Sequence, residues 1–344
     1  GVGATIDMSK LTLNTIVISN AASNANSGDN IITKLTASDT VIIDAGFANV
    51  DVNLDGSLGF NTANIVLAGT STASVSVDEL DLANQATINI TSNGSNTGTA
   101  NTIATLTNTA SSVITLTGSQ AVTITNALAA SAVVNGSALT AALTVIGDDA
   151  ASSIVGGSGD DVISLGTLAG GDTVVGGAGA DTINTVDDIT GTTATVITPG
   201  LGADTVNVND AANAIAKITY NATAAESYAA AGQSDLLAFA AAVATDDMIV
   251  TFKTGKTSTS LTTSTTAAFV LGTTTVNSAG GFLWVNASGV ATVEDENAVL
   301  YQDTNSNGLI DSTDFAARMT LVGADTFKIA ITGGEAVVTF EGEA

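Results

Sequence analysis

From residue 1 to about 210 the chain repeats one theme: apolar residues alternate with polar ones, then a turn rich in Gly, Asn, Ser and Thr follows. The apolar centres include Val41-Ile42-Ile43, Ile65-Val66-Leu67, Ile88 with Ile90, Val113-Ile114, Val133-Val134, Ile154, Ile163, Val174, Ile183 and Val206. From Val113 onward successive centres lie 9 to 13 residues apart. Alternation predicts strands with one face buried, and Val, Ile and Thr suit a pleated surface. Two such strands per coil give a period of about 20 residues, which is the range of a solenoid. An antiparallel sandwich, with strands every ~8–12 residues, is the competing reading. The expected fold is all-β: a right-handed parallel β-solenoid or β-roll over 1–210.

The texture changes near residue 210. In the Ala-rich stretch 211–247, Ser234 is placed to cap a helix in which Leu236, Phe239, Ala240 and Val243 share one face. A short helix covering the open end of the solenoid is therefore expected. From 248 to 344 the alternation is more conventional and carries most of the aromatics. Strands are expected at 249–253, 268–271, 282–286, 290–293, 299–302, 326–331 and 337–340, forming a C-terminal antiparallel β domain around Phe282, Trp284 and Phe327.

Within the solenoid one section is regular in a chemically specific way. Gly156-Gly157-Ser158-Gly159-Asp160-Asp161-Val162-Ile163-Ser164 and Gly176-Gly177-Ala178-Gly179-Ala180-Asp181-Thr182-Ile183-Asn184 both fit the nonapeptide G-G-x-G-x-D-x-U-x. Glycines let such a turn bring its carbonyls close together, and the Asp adds a carboxylate. Oxygen-only donors suit a hard cation such as Ca²⁺. Pro199-Gly200-Leu201-Gly202-Ala203-Asp204 continues the phase, whereas Thr167-Leu168-Ala169-Gly170-Gly171-Asp172 is a degenerate copy. Half-coils of about nine residues put successive loops on opposite edges. Asp161, Asp181 and Asp204 should then share one edge, with Asp172 on the other between Asp148-Asp149 and Asp187-Asp188. The competing reading is a metal-free turn with its Asp in solvent.

A second calcium loop is expected over 303–314, with Asp303, Asn305, Asn307, the Leu309 carbonyl, Asp311 and Asp314 at positions 1, 3, 5, 7, 9 and 12. Gly308 takes the sharp turn at position 6. Asp in place of Glu at position 12 has a shorter reach. An Asx-rich hairpin turn is the alternative.

Charge narrows the partners. Thirty-three acidic residues against seven basic ones give a net charge of −26, which argues against nucleic acid and anionic membranes. Bound Ca²⁺ would relieve that repulsion. Only 12% of residues are charged, so the chain is no acidic disordered tail. No Cys and no His are present, which excludes disulfides, soft-metal sites and His-based catalysis. No apolar run approaches the ~20 residues of a membrane span. The start at Gly1 shows no cleavable leader and suggests a fragment or a processed chain. Asp78-Glu79-Leu80-Asp81 is the densest acidic cluster and reads as a solvated charge run. With few basic or aromatic residues to hold a sugar, a glycoside-cleaving carboxylate pair is not expected. The chain is read as no enzyme.

The two nonapeptides over about 147–207 resemble the repeats of RTX proteins, which bacteria export by type I secretion. The low-complexity Ala/Thr/Ser/Asn/Gly background, the missing Cys and the acidity are similar to the RTX-type S-layer proteins of Gram-negative bacteria. Ala298–Ile331, with Leu300-Tyr301-Gln302-Asp303 and Leu321-Val322-Gly323, looks like the region that follows the repeats in such proteins. The Asp303 loop also resembles those of dockerins, though only one copy is present. The resemblance implies Ca²⁺ as cofactor, an uncleaved C-terminal export signal and an extracellular, cell-surface location. It also implies a two-dimensional homo-oligomeric lattice and a cell-surface polysaccharide as possible anchor. Only two repeats are near-perfect, where RTX toxins and proteases carry longer arrays. A calcium-dependent RTX adhesin that grips a surface or glycan ligand is the alternative function.

Overall fold

The computed structural model describes residues 5–12, 14–19, 30–44, 51–55, 62–83, 85–94, 98–148, 150, 152–167, 171–186, 195–208, 217–221, 235–239, 248–253, 258–265, 274–286, 294–295, 297–310, 314–321 and 326–341. The chain is nearly all β: a parallel solenoid of about eight turns with an antiparallel sheet toward the C-terminus. It divides into two compact units, Gly1–Ser164 and Leu165–Ala344.

In the first unit the strands are β1 Thr5–Asp7, β2 Thr15–Ser19, β3 Asn30–Thr33, β4 Thr40–Asp44, β5 Asp51–Asp55, β6 Thr62–Ala68, β7 Ser76–Leu82 and β8 Thr87–Asn93. They continue as β9 Asn101–Asn108, β10 Val113–Gly118, β11 Val122–Ala127, β12 Val133–Leu139, β13 Leu143–Ile146, β14 Ser153–Val155 and β15, which opens at Val162. Odd-numbered strands stack in one sheet and even-numbered strands in the other. Each strand pairs in parallel with the next but one, as the two-strand coil requires. Isoleucine therefore lies over isoleucine: Ile88 pairs with Ile114, and Ile114 with Val134. All three are fully buried, as are Val41 and Ile43, the register partners of Ile65 and Leu67. The burial of β6 alternates strictly, with Ala63, Ile65 and Leu67 inward and Thr62, Asn64 and Val66 outward. Alternation in the sequence thus becomes an in/out pattern repeated coil after coil.

In the second unit the strands are β16 Thr173–Ala178, β17 Thr182–Val186, β18 Thr195–Leu201, β19 Thr205–Val208, β20 Lys217–Asn221, β21 Asp235–Phe239 and β22 Met248–Lys253. They continue as β23 Leu261–Thr265, β24 Phe282–Asn286, β25 Glu294–Asp295, β26 Asn297–Gln302, β27 Phe315–Leu321, β28 Thr326–Thr332 and β29 Glu335–Glu341. One sheet runs β17-β19-β21-β27-β26-β24-β23 and the other β16-β18-β20-β22-β29-β28-β25. The parallel ladder passes residue 210 without a break, through β18–β20–β22 and β19–β21. It turns antiparallel at β22–β29 and at β26 against both β24 and β27.

Where a helix is expected from Ser234 to Val243, the described part is not helical. Asp235–Phe239 is a strand, with Leu236 opposite Thr205 and Asp235 opposite Ala317. A strand here closes the ladders of β19 and β27 together. That satisfies two rows of backbone groups, a gain the modest helix preference of alanine does not match. The strands expected at 268–271 and 290–293 lie outside the described residues, as do Ser234, Val243 and the side chain of Phe327. The core of this unit is aromatic. Phe282 and Trp284 are fully buried, and Phe252 packs between Tyr220 at 5.3 Å and Phe315 at 6.2 Å between ring centroids.

Candidate metal centres

Coil-on-coil stacking leaves backbone N–H groups at the corners where the chain enters the odd-numbered strands. At one such corner the Leu143 N–H donates to Asp161 Oδ1 at 2.7 Å, and the Gly157 N–H donates to Asp161 Oδ2 at 2.6 Å. Asp161 thus closes its own loop with one oxygen and the preceding coil with the other. It is fully buried. Burial pushes its carboxyl pKa above the ordinary range; the two N–H donors oppose the shift, and the Asp160 carboxylate adds to it. The loop is tight: a Cβ at Gly157 would overlap the Leu139 carbonyl oxygen, and one at Gly159 would overlap the backbone of Ala141 and Ala142. Gly156 is buried and Ser158 is exposed at the loop tip.

The same corner recurs in the second unit. Thr182 pairs with Thr205 and Ile183 with Val206, so Asp181 and Asp204, each one residue earlier, stand in adjacent coils. The Asp181 N–H donates to Asp204 Oδ1 at 2.7 Å, and both residues are 1% exposed. The Asp181 carboxylate packs against Gly176, where a Cβ would overlap it. Gly202 has φ +147°, and a Cβ there would overlap the Gly179 carbonyl oxygen. Side chains are excluded because the loops touch backbone to backbone. Ala178 ends β16, and Asp172, also buried, enters β16 on the opposite edge, where the Val196 N–H donates to its carbonyl. Gly170, Asp149, Asp187 and Asp188 lie outside the described residues. Asp148 Oδ1 accepts from the N–H groups of Ala150 and Ser131, so it closes its turn.

Asn101 does this corner job without charge, and no motif marks it in the sequence. Its Oδ1 accepts the Val75 N–H at 2.8 Å, and its Nδ2 donates to the Asn93 carbonyl at 3.1 Å and to Ser92 Oγ at 3.0 Å. It too is fully buried. Asn126 repeats the theme, accepting the Leu106 N–H at 2.7 Å. A neutral amide is therefore sufficient to close a coil. The nonapeptide coils use a buried carboxylate instead, and such a charge is costly to bury without a compensating one. No Lys or Arg occurs between Lys34 and Lys217. A cation from outside the chain fits this shortfall. The donors at hand are carboxylate and carbonyl oxygens, which suit Ca²⁺.

The 303–310 loop is held by its own side chains. Asp303 Oδ1 accepts the Asn307 N–H at 3.0 Å, while its Oδ2 accepts those of Gly308 and Gly280, each at 2.8 Å. Asn305 Oδ1 accepts the Asn307 N–H, and Asn307 Oδ1 accepts the Leu309 N–H. Asp314 Oδ1 reaches back to the N–H groups of Thr304 and Asn305, so the last position of the loop is tied to its start. Asp303 and Asp314 are both fully buried. Gly308 has φ +84° with open space where a Cβ would go, so conformation alone demands glycine there. Leu309 forms an isolated antiparallel bridge to Thr275, and Ile310 is buried with Val276, Leu283, Val285, Tyr301 and Ala316. The loop is thereby fixed to β24 and β26. Asp311 lies outside the described residues.

Among the described residues no group of three or more Asp and Glu side chains gathers as a metal centre would require. Any cation held by these loops must draw on Asn and backbone carbonyl oxygens beside one or two carboxylates. Comparison of the chain with family models, curated proteins and solved structures finds no match.

Proposed function

We propose that this chain is a structural protein of a bacterial cell surface, a lattice subunit whose fold and assembly depend on calcium. One observation carries the reading: Asp161, Asp181 and Asp204 are buried at corners that Asn101 closes without charge, in a region with no basic residue. Retaining a carboxylate where an amide suffices makes sense if a cation completes the site. Asp161 in the first unit and, in the second, Asp181 with Asp204 on one edge and Asp172 on the other would each hold a cation with the carbonyls of their own loops. Asp303, Asn305, Asn307 and Asp314 would hold another in the second unit. Bound calcium would supply positive charge and link adjacent loops, so a stack of thin coils becomes stiff without a large core. An extended repeat with a small-residue, Thr- and Asn-rich surface and a net charge of −26 is suited to presenting area rather than to chemistry.

The experiment is a thermal melt and negative-stain imaging of the pure chain in Ca²⁺ and in EDTA. A higher melting temperature and ordered sheets in Ca²⁺, both lost in EDTA, are expected. An unchanged melting temperature in EDTA removes the calcium reading. Dispersed monomers that bind glycans in Ca²⁺ move the function to an adhesin.

A further inference from the structure

The charge on this acidic chain is unevenly placed. Between Asp81 and Asp148 there is not one Asp, Glu, Lys or Arg. That interval spans β8 to β13 in the first unit, and the outward positions of β6 and of β14 beside it are also uncharged. The outer face of the sheet formed by β6, β8, β10, β12 and β14 is consequently neutral.

The face is neutral but not wholly polar. Val113 and Val133 point outward, 40% and 37% exposed, and are register partners in β10 and β12. Around them the polar side chains are bonded sideways. Asn89 Nδ2 donates to Asn64 Oδ1 at 2.8 Å, and the hydroxyls of Thr91 and Thr117 are 3.1 Å apart. Amides and hydroxyls already paired within the face lose less when covered than free ones do. Strands spaced about 4.8 Å apart make the five-strand face roughly 19 Å across. Its centre is therefore about 10 Å from the rim, beyond the ~8 Å Debye length of physiological salt. Two copies of a chain of charge −26 repel wherever carboxylates meet. Face to face at this belt, the nearest carboxylates are screened.

We propose that this belt, centred on Val113 and Val133, is a self-association surface whose partner is a second copy of the chain. The proposal rests on the assembly reading above and names the surface that closes the contact. With strands about 20 Å long the patch covers roughly 400 Å², half the ~800 Å² per partner of a stable interface. One contact is weak alone and gains strength from repetition in an array.

The test is sedimentation of the full chain in Ca²⁺ over a range of concentrations, with NaCl raised from about 20 to about 300 mM. A neutral contact between acidic bodies strengthens as salt screens their repulsion. The doubly substituted Val113→Asp/Val133→Asp chain should lose at least about tenfold in association, since like charges would face each other in the contact. Its circular dichroism should match wild type, because both side chains point outward; the two new carboxylates stand side by side in adjacent strands and should lower its melting temperature only modestly. Ser71→Asp/Thr72→Asp, an equal charge change in an exposed turn, should associate like wild type. If NaCl disperses the assembly, or the double variant assembles as wild type does, the belt is not the contact. A wild-type chain that stays monomeric throughout overturns the assembly reading as well.

Discussion

The backbone N–H of Asp181 donates to the side chain of Asp204, one coil further on, at 2.7 Å. A residue expected as a metal ligand is thus also the clasp between two coils, and the two roles separate by substitution. Asp204→Asn keeps an acceptor and removes the charge. In EDTA it should be at least as stable as wild type; in Ca²⁺ it should be less stable. Asp204→Ala leaves the Asp181 N–H without its acceptor and should cost about 1–3 kcal/mol in either condition. Chemical denaturation of the three chains with and without Ca²⁺ decides it. An Asn variant weakened equally in both conditions would count against a cation at this corner.

Asn101 makes the complementary case. Asn101→Ala should destabilise by about 1–3 kcal/mol, because the Val75 N–H is buried with it. Asn101→Asp puts an anion beside the Asn93 carbonyl and Ser92, where the amide now donates. It should destabilise most at neutral pH and recover on acidification. A flat pH response for Asn101→Asp, followed by denaturant midpoint, would contradict this account of the corner.

Much of the fold was legible in the sequence because coils stack in register: Ile88, Ile114 and Val134 announce themselves by spacing, and each marks a buried position. The stacking of Asp181 beside Asp204 was legible for the same reason. Asp235–Phe239 was not. Its leucines and alanines fit a helix face equally well, and the choice is made by two strand edges that no local pattern reveals. Phe315–Leu321 was hidden differently, since Phe315, Ala316 and Ala317 are all buried and do not alternate. The role of Asn101 was invisible because its partner Val75 lies in another coil, and an Asn in a turn reads as an ordinary loop residue.

Asp7 reports on pH at the first coil. Its Oδ2 accepts from Lys34 Nζ at 2.8 Å, and this bond, with one from Ser9, lowers its pKa to about 2. A depressed carboxyl pKa means the stabilising contribution is complete above the ordinary carboxylate value of 3.8 and is lost as pH falls through about 2. Lys34→Met should return the Asp7 pKa toward 3.8, read by NMR titration. A titration midpoint that stays near 2 in the variant would assign the shift to another group.

Gly308 and Gly202 should respond differently to alanine. At Gly308 only the left-handed backbone is at issue, so Gly308→Ala should cost about 1–2 kcal/mol. At Gly202 the new Cβ also overlaps the Gly179 carbonyl, so the coils must part and the loss should be larger. Melting curves of both variants rank the two effects. Equal losses would mean the coil contact at Gly202 yields freely.

Four of the inter-coil side-chain bonds run in one direction, while the Ala129 N–H, which donates back to Asn108 Oδ1, runs the other way. Val75 is closed by Asn101, Leu106 by Asn126, Leu143 by Asp161 and Asp181 by Asp204: an amide of the earlier coil, a side chain of the later one. Across each of these four bonds the two coils are therefore unlike. At these four bonds, removing the earlier coil strands a side-chain acceptor, which water or a rotamer change can satisfy. Removing the later coil strands the backbone donor, which is the harder loss to repair. At these positions a coil is finished by its successor, so its amide stays open until the next coil is laid down.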